Sequence, residues 1–292
     1  MSRISYVNGV YLPHAQAGVH IEDRGFLFAD GVYEVIGLVN GRYADERGHL
    51  DRLERSMAEL QLKAPLSRGA LRFIMRELVR RNRVQNAAIY IQVTRGVAKR
   101  DFKFPAKEVQ PSLVMMCWPF RFDDNPNVQR GVKVCSVPDQ RWARRDIKSV
   151  ALLPQVLAKQ KAAEQGCYEA IMLDDEGYVT EGSSSNFWIY KDGILKTRRA
   201  DHTILKGVTR TAIYNIAKEK GIKIVEERFD IEEAKEAEEA FCTSATSLIV
   251  PVIQIDEKIV GGGVPGNLAS DIYARYRAYA HGDYNDQVAW SY

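Results

Sequence analysis

An Asn-Gly pair between two short apolar runs occurs twice in the first fifty residues, and it constrains the fold more than any other local feature. One pair lies in "ISYVNGVYL" and the other in "FADGVYEVIGLVNGRYA". Asn-Gly is a preferred centre for a tight turn between antiparallel strands. The sequence therefore predicts that the chain begins with two strand pairs.

Helical patterns follow these strands. In "HLDRLERSMAEL" and "SRGALRFIMRELVRRN" the apolar residues recur every three or four positions, and the second segment opens on a Ser suited to an N-cap. The strands "AAIYIQVTRG" and "SLVMMCW" come next. The unit ends at "PFRFDDNPNVQRG", which is rich in Pro, Asn and Asp, as linkers and loops are.

The second half alternates strands with helices. We predict a helix from about residue 150 to residue 165 that ends at Gly166. "CYEAIMLDDEGYVTEGSSSNFWIYKDGILKT" predicts three strands joined by the turns "DDEG" and "KDG", and "GVTRTAIYNIAKEKG" predicts another helix. The prediction is a two-domain α+β protein: a small N-terminal domain over residues 1–118, a linker over 119–130, and a larger mixed-sheet domain over 131–292.

Composition excludes several classes of function. The 292 residues carry a formal net charge of +3 from 41 basic and 38 acidic residues that are well mixed, so we expect no nucleic-acid partner. No apolar run approaches the roughly 18 residues that would span a bilayer, and no signal-peptide pattern opens the chain. The four cysteines show no Cys-x-x-Cys spacing, which is typical of reduced thiols. We therefore expect a cytoplasmic protein without a membrane partner or a metal site.

Lys148 stands in "RWARRDIKSVALLP", between Ile147 and, after Ser149, a run of apolar residues. Burial of a lysine disfavours the ammonium form, lowers the pKa and leaves a nucleophilic amine that condenses with carbonyl compounds. The ordinary alternative is a surface lysine close to a helix start. The spacing alone does not separate these interpretations.

Two small-residue segments predict a binding site for a polar group. "TEGSSSNFW" places Glu181 before Gly, Ser and Asn residues, which fit a packed strand poorly, and a carboxylate there suits a cationic ring nitrogen. "LKGVTRTAIYN" places Gly207 and Thr209 at a helix start, where free N–H groups favour a phosphate. A strand turn and an ordinary helix cap remain the alternatives. "CTSATS" from Cys242 adds small hydroxyl residues, and Arg52 adds a cation that is either a phosphate ligand or solvated.

Taken together, these motifs resemble the class IV, or fold type IV, pyridoxal-phosphate aminotransferases, and within them the branch that acts on D-amino acids. The resemblance covers essentially the whole chain. It is carried, in order, by "EDRGFLFADGVYEV", "HLDRL", "VTRG", "RWARRDIKS", "LAKQKAAEQGCYEAI", "VTEGSSSN", "LKGVTR" and "TSATS". It implies the two-domain fold of that family, with the cofactor lysine on the larger C-terminal domain.

The resemblance also implies residue roles. Lys148 would bond to the cofactor aldehyde and move a proton. Tyr33, the second catalytic residue, would lie beside the cofactor and orient Lys148 or the substrate. Glu181 would pair with the pyridine nitrogen, supported by Arg141. The remaining cofactor-binding residues that it implies are Arg52, Val208, Thr209, Ser244, Ala245 and Thr246. The family forms homodimers in which a loop of one subunit reaches the active site of the other.

Two positions depart from the D-amino-acid branch. Its substrate-binding loop carries an Arg-x-His pair for the substrate carboxylate, whereas "VAKRDFKFP" keeps Arg100 but has Phe102 in place of the histidine. Phenylalanine donates no hydrogen bond, so capture rests on Arg100 alone or recruits Lys99 or Lys103. Ala245 stands where a phosphate-binding threonine hydroxyl can occur, and Gly37 lacks a bulky side chain, which would widen the substrate pocket.

The function that this resemblance implies is ping-pong transfer of an amino group from a D-amino acid, of the D-alanine type, to a 2-oxo acid such as 2-oxoglutarate. The alternatives of the same fold are an (R)-selective amine transaminase, a branched-chain L-amino-acid aminotransferase and an aminodeoxychorismate lyase. An alternative of another class is a non-catalytic protein that binds pyridoxal phosphate. Because both Lys148 and Glu181 are present, the sequence favours an enzyme.

Overall fold

The computed structural model of this chain describes residues 3–122 and 125–283. The chain divides into two compact units. The first combines Met1–Arg121 with Ile147–Ala151, and the second combines Phe122–Asp146 with Leu152–Tyr292. The predicted domain limits stay a prediction, and residues 123 and 124 of the predicted linker lie outside the described residues.

The first unit contains an antiparallel sheet, three α-helices and a short 3-10 helix (His14–Gln16) among the described residues. In chain order its elements are β1 (Ile4–Val7), β2 (Val10–Pro13), α1 (Arg24–Phe28), β3 (Gly31–Val39), β4 (Arg42–Tyr43), α2 (Glu46–Glu59), α3 (Arg68–Asn82), β5 (Ala87–Thr94) and β6 (Ser112–Pro119). The strand order of the six described strands is β2-β1-β6-β5-β3-β4. Both predicted strand pairs are confirmed, since β1 pairs with β2 and β3 pairs with β4.

The helices α2 and α3 bury their apolar faces in the core of the first unit. Leu50, Leu53 and Met57 of α2 and Met75 and Leu78 of α3 are each at most 2% exposed. These positions recur at the three- and four-residue spacing that one helix face requires. Ser67 caps α3 by accepting a hydrogen bond from the Ala70 N–H (3.3 Å), as predicted for that residue.

The segment Ile147–Ala151 belongs to the first unit, whereas the sequence prediction placed Lys148 on the C-terminal domain. The reason is backbone pairing with β3. The Tyr33 N–H donates to the Lys148 carbonyl (3.0 Å), and the Val150 N–H donates to the Gly31 carbonyl (3.0 Å). Ile147, which is 4% exposed, packs into the core of the first unit.

The second unit contains a mixed sheet. In chain order its elements are α4 (Pro126–Arg130), β7 (Val132–Pro138), α5 (Leu153–Glu164), β8 (Glu169–Leu173), β9 (Val179–Gly182), β10 (Asn186–Lys191), β11 (Ile194–Thr197), α6 (Val208–Glu219), β12 (Lys223–Glu226), α7 (Ile231–Lys235), β13 (Glu239–Ser244), β14 (Leu248–Ile255), β15 (Lys258–Ile259) and α8 (Asn267–His281). The order is β12-β11-β10-β13-β14-β7-β8-β9, and β15 pairs with β14. None of the helices in the described ranges has the length and apolar character needed to cross a membrane.

Two local predictions in the second unit were wrong. The segment predicted as three strands forms four, β8 to β11, because residues 183–185 turn the chain between β9 and β10. The hydroxyl groups of these three serines all donate to the carboxylate of Glu169, a contact that no local pattern indicates. The helix predicted from residue 150 begins at Leu153, since Ser149 bridges to Val32 in extended conformation.

Candidate active site

Lys148 is held in place through both of its backbone groups. Its N–H donates to the Ser56 hydroxyl oxygen (3.3 Å), and its carbonyl accepts from the Tyr33 N–H (3.0 Å). The half-buried side chain brings Nζ to 3.3 Å from the Tyr33 hydroxyl and 4.3 Å from the centre of the Tyr33 ring. The structure therefore brings together the two residues that the sequence analysis proposed as catalytic.

The strand β3 explains the position of Tyr33. Alternate residues of a strand point to opposite faces, so Tyr33 and Glu34 lie on different sides of the sheet. The Tyr33 ring stacks on Tyr90 of the neighbouring strand β5, with ring centres 5.6 Å apart. This contact fixes the phenol beside the lysine amine.

Arg52 was predicted to bind the cofactor phosphate, and the structure shows what orients its side chain. The guanidinium donates from Nε and Nη2 to the two oxygens of Glu34, at 2.7 and 2.8 Å. His49, one turn earlier on α2, contacts Glu34 through Nδ1 at 2.7 Å. Sequence reasoning missed Glu34, because a glutamate inside a strand pattern gives no local sign of a partner on a helix.

Glu34 is fully buried, and its surroundings determine its charge. Burial raises the pKa of this carboxyl, but Arg52 and His49 more than compensate and lower its pKa to about 2. A stable negative charge at Glu34 therefore holds the Arg52 guanidinium in one orientation. The phosphate-binding role of Arg52 stays a prediction.

Glu181 lies at the end of β9 in the second unit and is 4% exposed. Its carboxylate accepts hydrogen bonds from Arg141 Nη1, from the Asn186 amide (2.9 Å) and from the Leu205 N–H (3.0 Å). Burial raises the pKa of Glu181, and Arg141 opposes that effect. The predicted pairing of Arg141 with Glu181 is present in the structure.

Asp139 is a further member of this cluster that the sequence analysis did not identify. It accepts two hydrogen bonds from the Arg141 guanidinium, at 2.9 and 2.7 Å, and one from the Thr180 hydroxyl at 2.8 Å. Although burial raises the pKa of Asp139, the hydrogen bonds from Arg141 lower it below its ordinary value. Arg141 is therefore held between two carboxylates, Asp139 and Glu181.

The start of α6 lies against Asn186. Gly207 is the N-cap of this helix and makes no side-chain cap hydrogen bond, and a Cβ on Gly207 would lie 2.1 Å from Asn186 Oδ1. The Asn186 amide donates to Glu181 and to the Leu205 carbonyl (2.9 Å). Asn186 thus ties the carboxylate to the helix start, a role that its place in "TEGSSSN" did not disclose.

Thr209, the second residue of α6, has a hydroxyl oxygen that is buried and lacks a hydrogen-bond partner among the described residues. A buried hydroxyl without a partner is costly, and the N-terminus of a 12-residue helix favours an anion through its dipole. The arrangement matches a phosphate ligand. Val208 is the first residue of the same helix.

The residues Ser244, Ala245 and Thr246 form the end of β13 and the turn toward β14. Thr243, the residue before Ser244, pairs with Asn186 of the neighbouring strand β10. The Ser244 hydroxyl accepts from the Ser247 N–H (3.0 Å). As expected, Ala245 offers only backbone groups.

Arg100 and Phe102 lie in an exposed loop of the first unit. The guanidinium carbon of Arg100 is 5.4 Å from the ring centre of Phe28 and 5.6 Å from that of Phe102. Phe102 is 79% exposed. The structure therefore places the predicted carboxylate-binding arginine against two aromatic rings.

Each of the two units holds residues whose chemistry fits a part of pyridoxal 5′-phosphate. A lysine amine suits its aldehyde, the buried carboxylate Glu181 suits a protonated ring nitrogen, and the partnerless Thr209 hydroxyl at a helix N-terminus suits its phosphate. These are three different chemical requirements of one molecule. The chain meets each of them with a residue that the sequence analysis had named.

Comparison with known proteins agrees with this chemistry. The family model described as amino-transferase class IV matches residues 31–255. A D-alanine aminotransferase of Staphylococcus haemolyticus is 38% identical over 276 residues, which cover 94% of this chain and 96% of the relative. A D-alanine aminotransferase of Bacillus licheniformis is 37% identical over 265 residues, covering 91% of this chain and 93% of the relative.

Solved structures give the same result for the fold. The branched-chain amino acid aminotransferase of Escherichia coli superposes with a TM-score of 0.93 at 25% identity, covering 99% of this chain and 98% of that one. A branched-chain aminotransferase of Thermoproteus uzoniensis gives a TM-score of 0.89 at 27% identity, with the same coverage. The predicted fold type is thereby confirmed. This chain belongs to the class IV aminotransferases, and its cofactor is pyridoxal 5′-phosphate.

Proposed function

We propose that this aminotransferase moves an amino group from a D-amino acid of the D-alanine type to a 2-oxo acid such as 2-oxoglutarate, in two half-reactions. The observation that carries the proposal is the 38% identity, over 94% of this chain, to a D-alanine aminotransferase. The branched-chain enzymes that share the fold are only 25% and 27% identical. Arg100, in the loop of the D-type carboxylate site, supports the same choice.

Pyridoxal 5′-phosphate supplies an aldehyde that condenses with amines and a ring that withdraws electrons from the substrate Cα. Lys148 Nζ would hold that aldehyde in the resting enzyme and would take up the proton from the substrate Cα. Tyr33 orients this amine through the contact of 3.3 Å. A base that already lies at a fixed place loses little entropy in the proton transfer.

Glu181 would pair with the ring nitrogen, where its negative charge would favour the protonated form. Arg141 and the Asn186 amide hold the carboxylate in one orientation. Asp139 in turn fixes Arg141 from its other edge. A positive ring nitrogen is what makes the ring an electron acceptor, so this chain of contacts supports catalysis without touching the substrate.

The phosphate is proposed to bind at the start of α6. The Thr209 hydroxyl and the Val208 N–H would donate to its oxygens. Ser244, Ala245 and Thr246 add hydroxyl and backbone donors. The buried Thr209 oxygen supports this assignment, because binding gives it the partner that it lacks among the described residues.

A second candidate is an (R)-selective amine transaminase, and Phe102 favours it. Replacing a hydrogen-bond donor beside the carboxylate site by an apolar ring suits substrates that lack a carboxylate. Arg100 favours the amino acid instead, since a guanidinium binds a carboxylate through two parallel hydrogen bonds.

Chiral analysis of products tests the proposal. Purified enzyme is incubated with 2-oxoglutarate and either D-alanine, L-leucine or (R)-1-phenylethylamine, and the initial rate and the configuration of the glutamate are measured. We expect D-alanine to give the highest kcat/KM and D-glutamate as the product. L-Glutamate, or a higher kcat/KM for L-leucine or the amine, would replace the proposal by one of the alternatives.

We propose further that the enzyme is a homodimer in which the Arg100 loop serves the partner's site. Exposed apolar side chains support this: Ile21, Phe26 and Phe102 are 76%, 72% and 79% exposed. They belong to two neighbouring segments, since Asp23 bridges to Val97.

Light scattering should give a mass near twice 33.1 kDa, and F26D should shift the mass toward the monomer. A wild-type monomer that is fully active would refute the assembly.

The proposed place of action is the cytoplasm. Cys117, Cys135, Cys167 and Cys242 are free thiols, and all but Cys167 are buried, as is usual in a reducing compartment. Cell fractionation with antibody detection tests this, and recovery in an extracytoplasmic fraction would contradict it.

A further inference from the structure

The loop that carries Arg100 is attached to a buried arginine. Arg24, at the start of α1, is 3% exposed, and its Nη1 donates to the Asp101 carbonyl at 2.6 Å. Backbone pairing extends the attachment, because the Arg24 N–H donates to the Gly96 carbonyl (2.9 Å) and the Ala98 N–H to the Glu22 carbonyl (3.3 Å). Asp101, the residue after Arg100, is thus anchored through its carbonyl to a buried side chain.

Asp30 connects this anchor to a second arginine. Its Oδ2 accepts from Arg24 Nε at 2.8 Å and from Arg95 Nε at 2.8 Å, and its Oδ1 accepts from Arg95 Nη2 at 2.9 Å. The guanidinium carbon of Arg95 also lies 3.7 Å from the ring centre of Phe104, four residues after Arg100. One carboxylate therefore links the two guanidinium groups that contact the loop just after Arg100.

Two aromatic rings, Phe28 and Phe102, lie next to the guanidinium of Arg100, and Phe28 also contacts Arg24. The Phe28 ring centre lies 4.7 Å from the guanidinium carbon of Arg24 and 5.4 Å from that of Arg100. The Phe102 ring lies 5.5 Å from Phe28 and 5.6 Å from Arg100. Cations are attracted to the faces of aromatic rings at these distances, so the Phe28 and Phe102 rings hold the Arg100 guanidinium in one position.

The charges in this cluster depend on Asp30. Arg24, Arg95 and Arg100 are three cations, and Asp30 is the carboxylate that both Arg24 and Arg95 contact. Although burial raises the pKa of Asp30, the hydrogen bonds from Arg95 and Arg24 lower it below its ordinary value. Without that charge, two largely buried guanidinium groups would repel each other and the loop would move.

We propose that Asp30 and Arg24 are positioning residues that set the place of Arg100 and thereby the affinity for the substrate carboxylate. The inference rests on the proposed function, in which Arg100 binds that carboxylate. Phe102, standing where a histidine is expected, then acts through its ring face by holding Arg100, while Arg100 alone donates to the substrate. Neither Asp30 nor Arg24 touches the substrate.

Steady-state kinetics of D30N and R24K test the inference, with propionate as a competitive probe that carries a carboxylate but no amine. We expect both variants to raise the KM for D-alanine and the inhibition constant of propionate about tenfold, the effect of losing a charged hydrogen bond. The value of kcat and the dissociation constant of pyridoxal phosphate should change less than about threefold, because Lys148 and the phosphate site keep their contacts.

Two reference variants separate the outcomes. R100A should raise the KM for D-alanine and the inhibition constant of propionate. Adding D30N to R100A should weaken the binding of propionate no further. D174N is the matched control, because Asp174 pairs with the buried Arg198 (3.0 Å) and has a similar exposed fraction. It should leave both constants unchanged.

The contradicting results differ for the two claims. If R100A leaves propionate binding unchanged, the carboxylate role of Arg100 in the proposed function fails, and the inference fails with it. If R100A weakens propionate but D30N and R24K do not, only the positioning role is overturned. A loss of kcat and of cofactor affinity in D30N without a change for propionate also overturns it, because that pattern reports general damage.

Discussion

Buried carboxylates fix two of the arginines that the sequence analysis placed in the cofactor site. Glu34 orients Arg52, and Asp139 orients Arg141, in each case through two hydrogen bonds to one guanidinium. The arginines were identifiable from the sequence because they stand in characteristic motifs. Their carboxylate partners were not, because Glu34 and Asp139 lie in patterns that predict only strands and loops.

Replacing Lys148 by alanine tests the catalytic assignment at this scale. K148A removes the amine that we propose holds the aldehyde and moves the Cα proton, so we expect the rate to fall below about a thousandth of the wild-type rate. Because the backbone contacts of Lys148 to Ser56 and Tyr33 remain, the thermal midpoint should change little. K161A, at an exposed lysine of α5, is the control. Wild-type turnover by K148A would refute the role.

Glu34 gives a prediction for pH. Its folded pKa of about 2 lies below the ordinary value of 4.5. The resulting stability is complete above the ordinary value and is lost as the pH falls toward about 2. We therefore expect E34Q to lower the free energy of unfolding by about 3 kcal/mol at neutral pH and by less at about pH 3.5, measured by urea denaturation.

The control for that experiment is E46Q. Glu46 pairs with Arg72, whose side chain is 45% exposed, so the change should be under about 1 kcal/mol. A cost of E34Q that is equal at both pH values would show that the charge of Glu34 contributes nothing, and that only its shape matters.

Single helices and strands were predicted where the signal is local. The two Asn-Gly hairpins, the Ser67 cap and the end of α5 before Gly166 all follow from a few neighbouring residues. The break between β9 and β10 does not, because three serine hydroxyls turn toward Glu169 on another strand. Pairing of the segment around Ser149 with β3 likewise moved the start of α5 to Leu153.

The N-terminus of α6 gives the prediction that belongs to this scale. T209A removes the buried hydroxyl that has no partner among the described residues, so the free energy of unfolding of the apoenzyme should change little. The dissociation constant of pyridoxal phosphate should rise about tenfold. T211A, two residues along the same helix, is the matched control. Cofactor titration by absorbance measures both. Equal affinities for T209A and wild type would remove Thr209 from the phosphate site.

For the whole molecule, fold and family were recoverable from the sequence, because many motifs stand in the order that the class IV aminotransferases share. The positions of the residues relative to each other were not, since they depend on contacts between distant parts of the chain. Lys148 and Tyr33 are 115 residues apart, and Asp30 and Arg95 are 65 residues apart. The place of Lys148 depends on such a contact as well, since its carbonyl pairs with the Tyr33 N–H of β3.

The visible spectrum of the purified enzyme tests the central claim most directly. D-Alanine, L-leucine and (R)-1-phenylethylamine are added separately without an oxo acid, so that only the first half-reaction proceeds. The account predicts that D-alanine converts the pyridoxal form to the pyridoxamine form at the lowest concentration. Conversion by L-leucine or by the amine, with D-alanine inert, would contradict it.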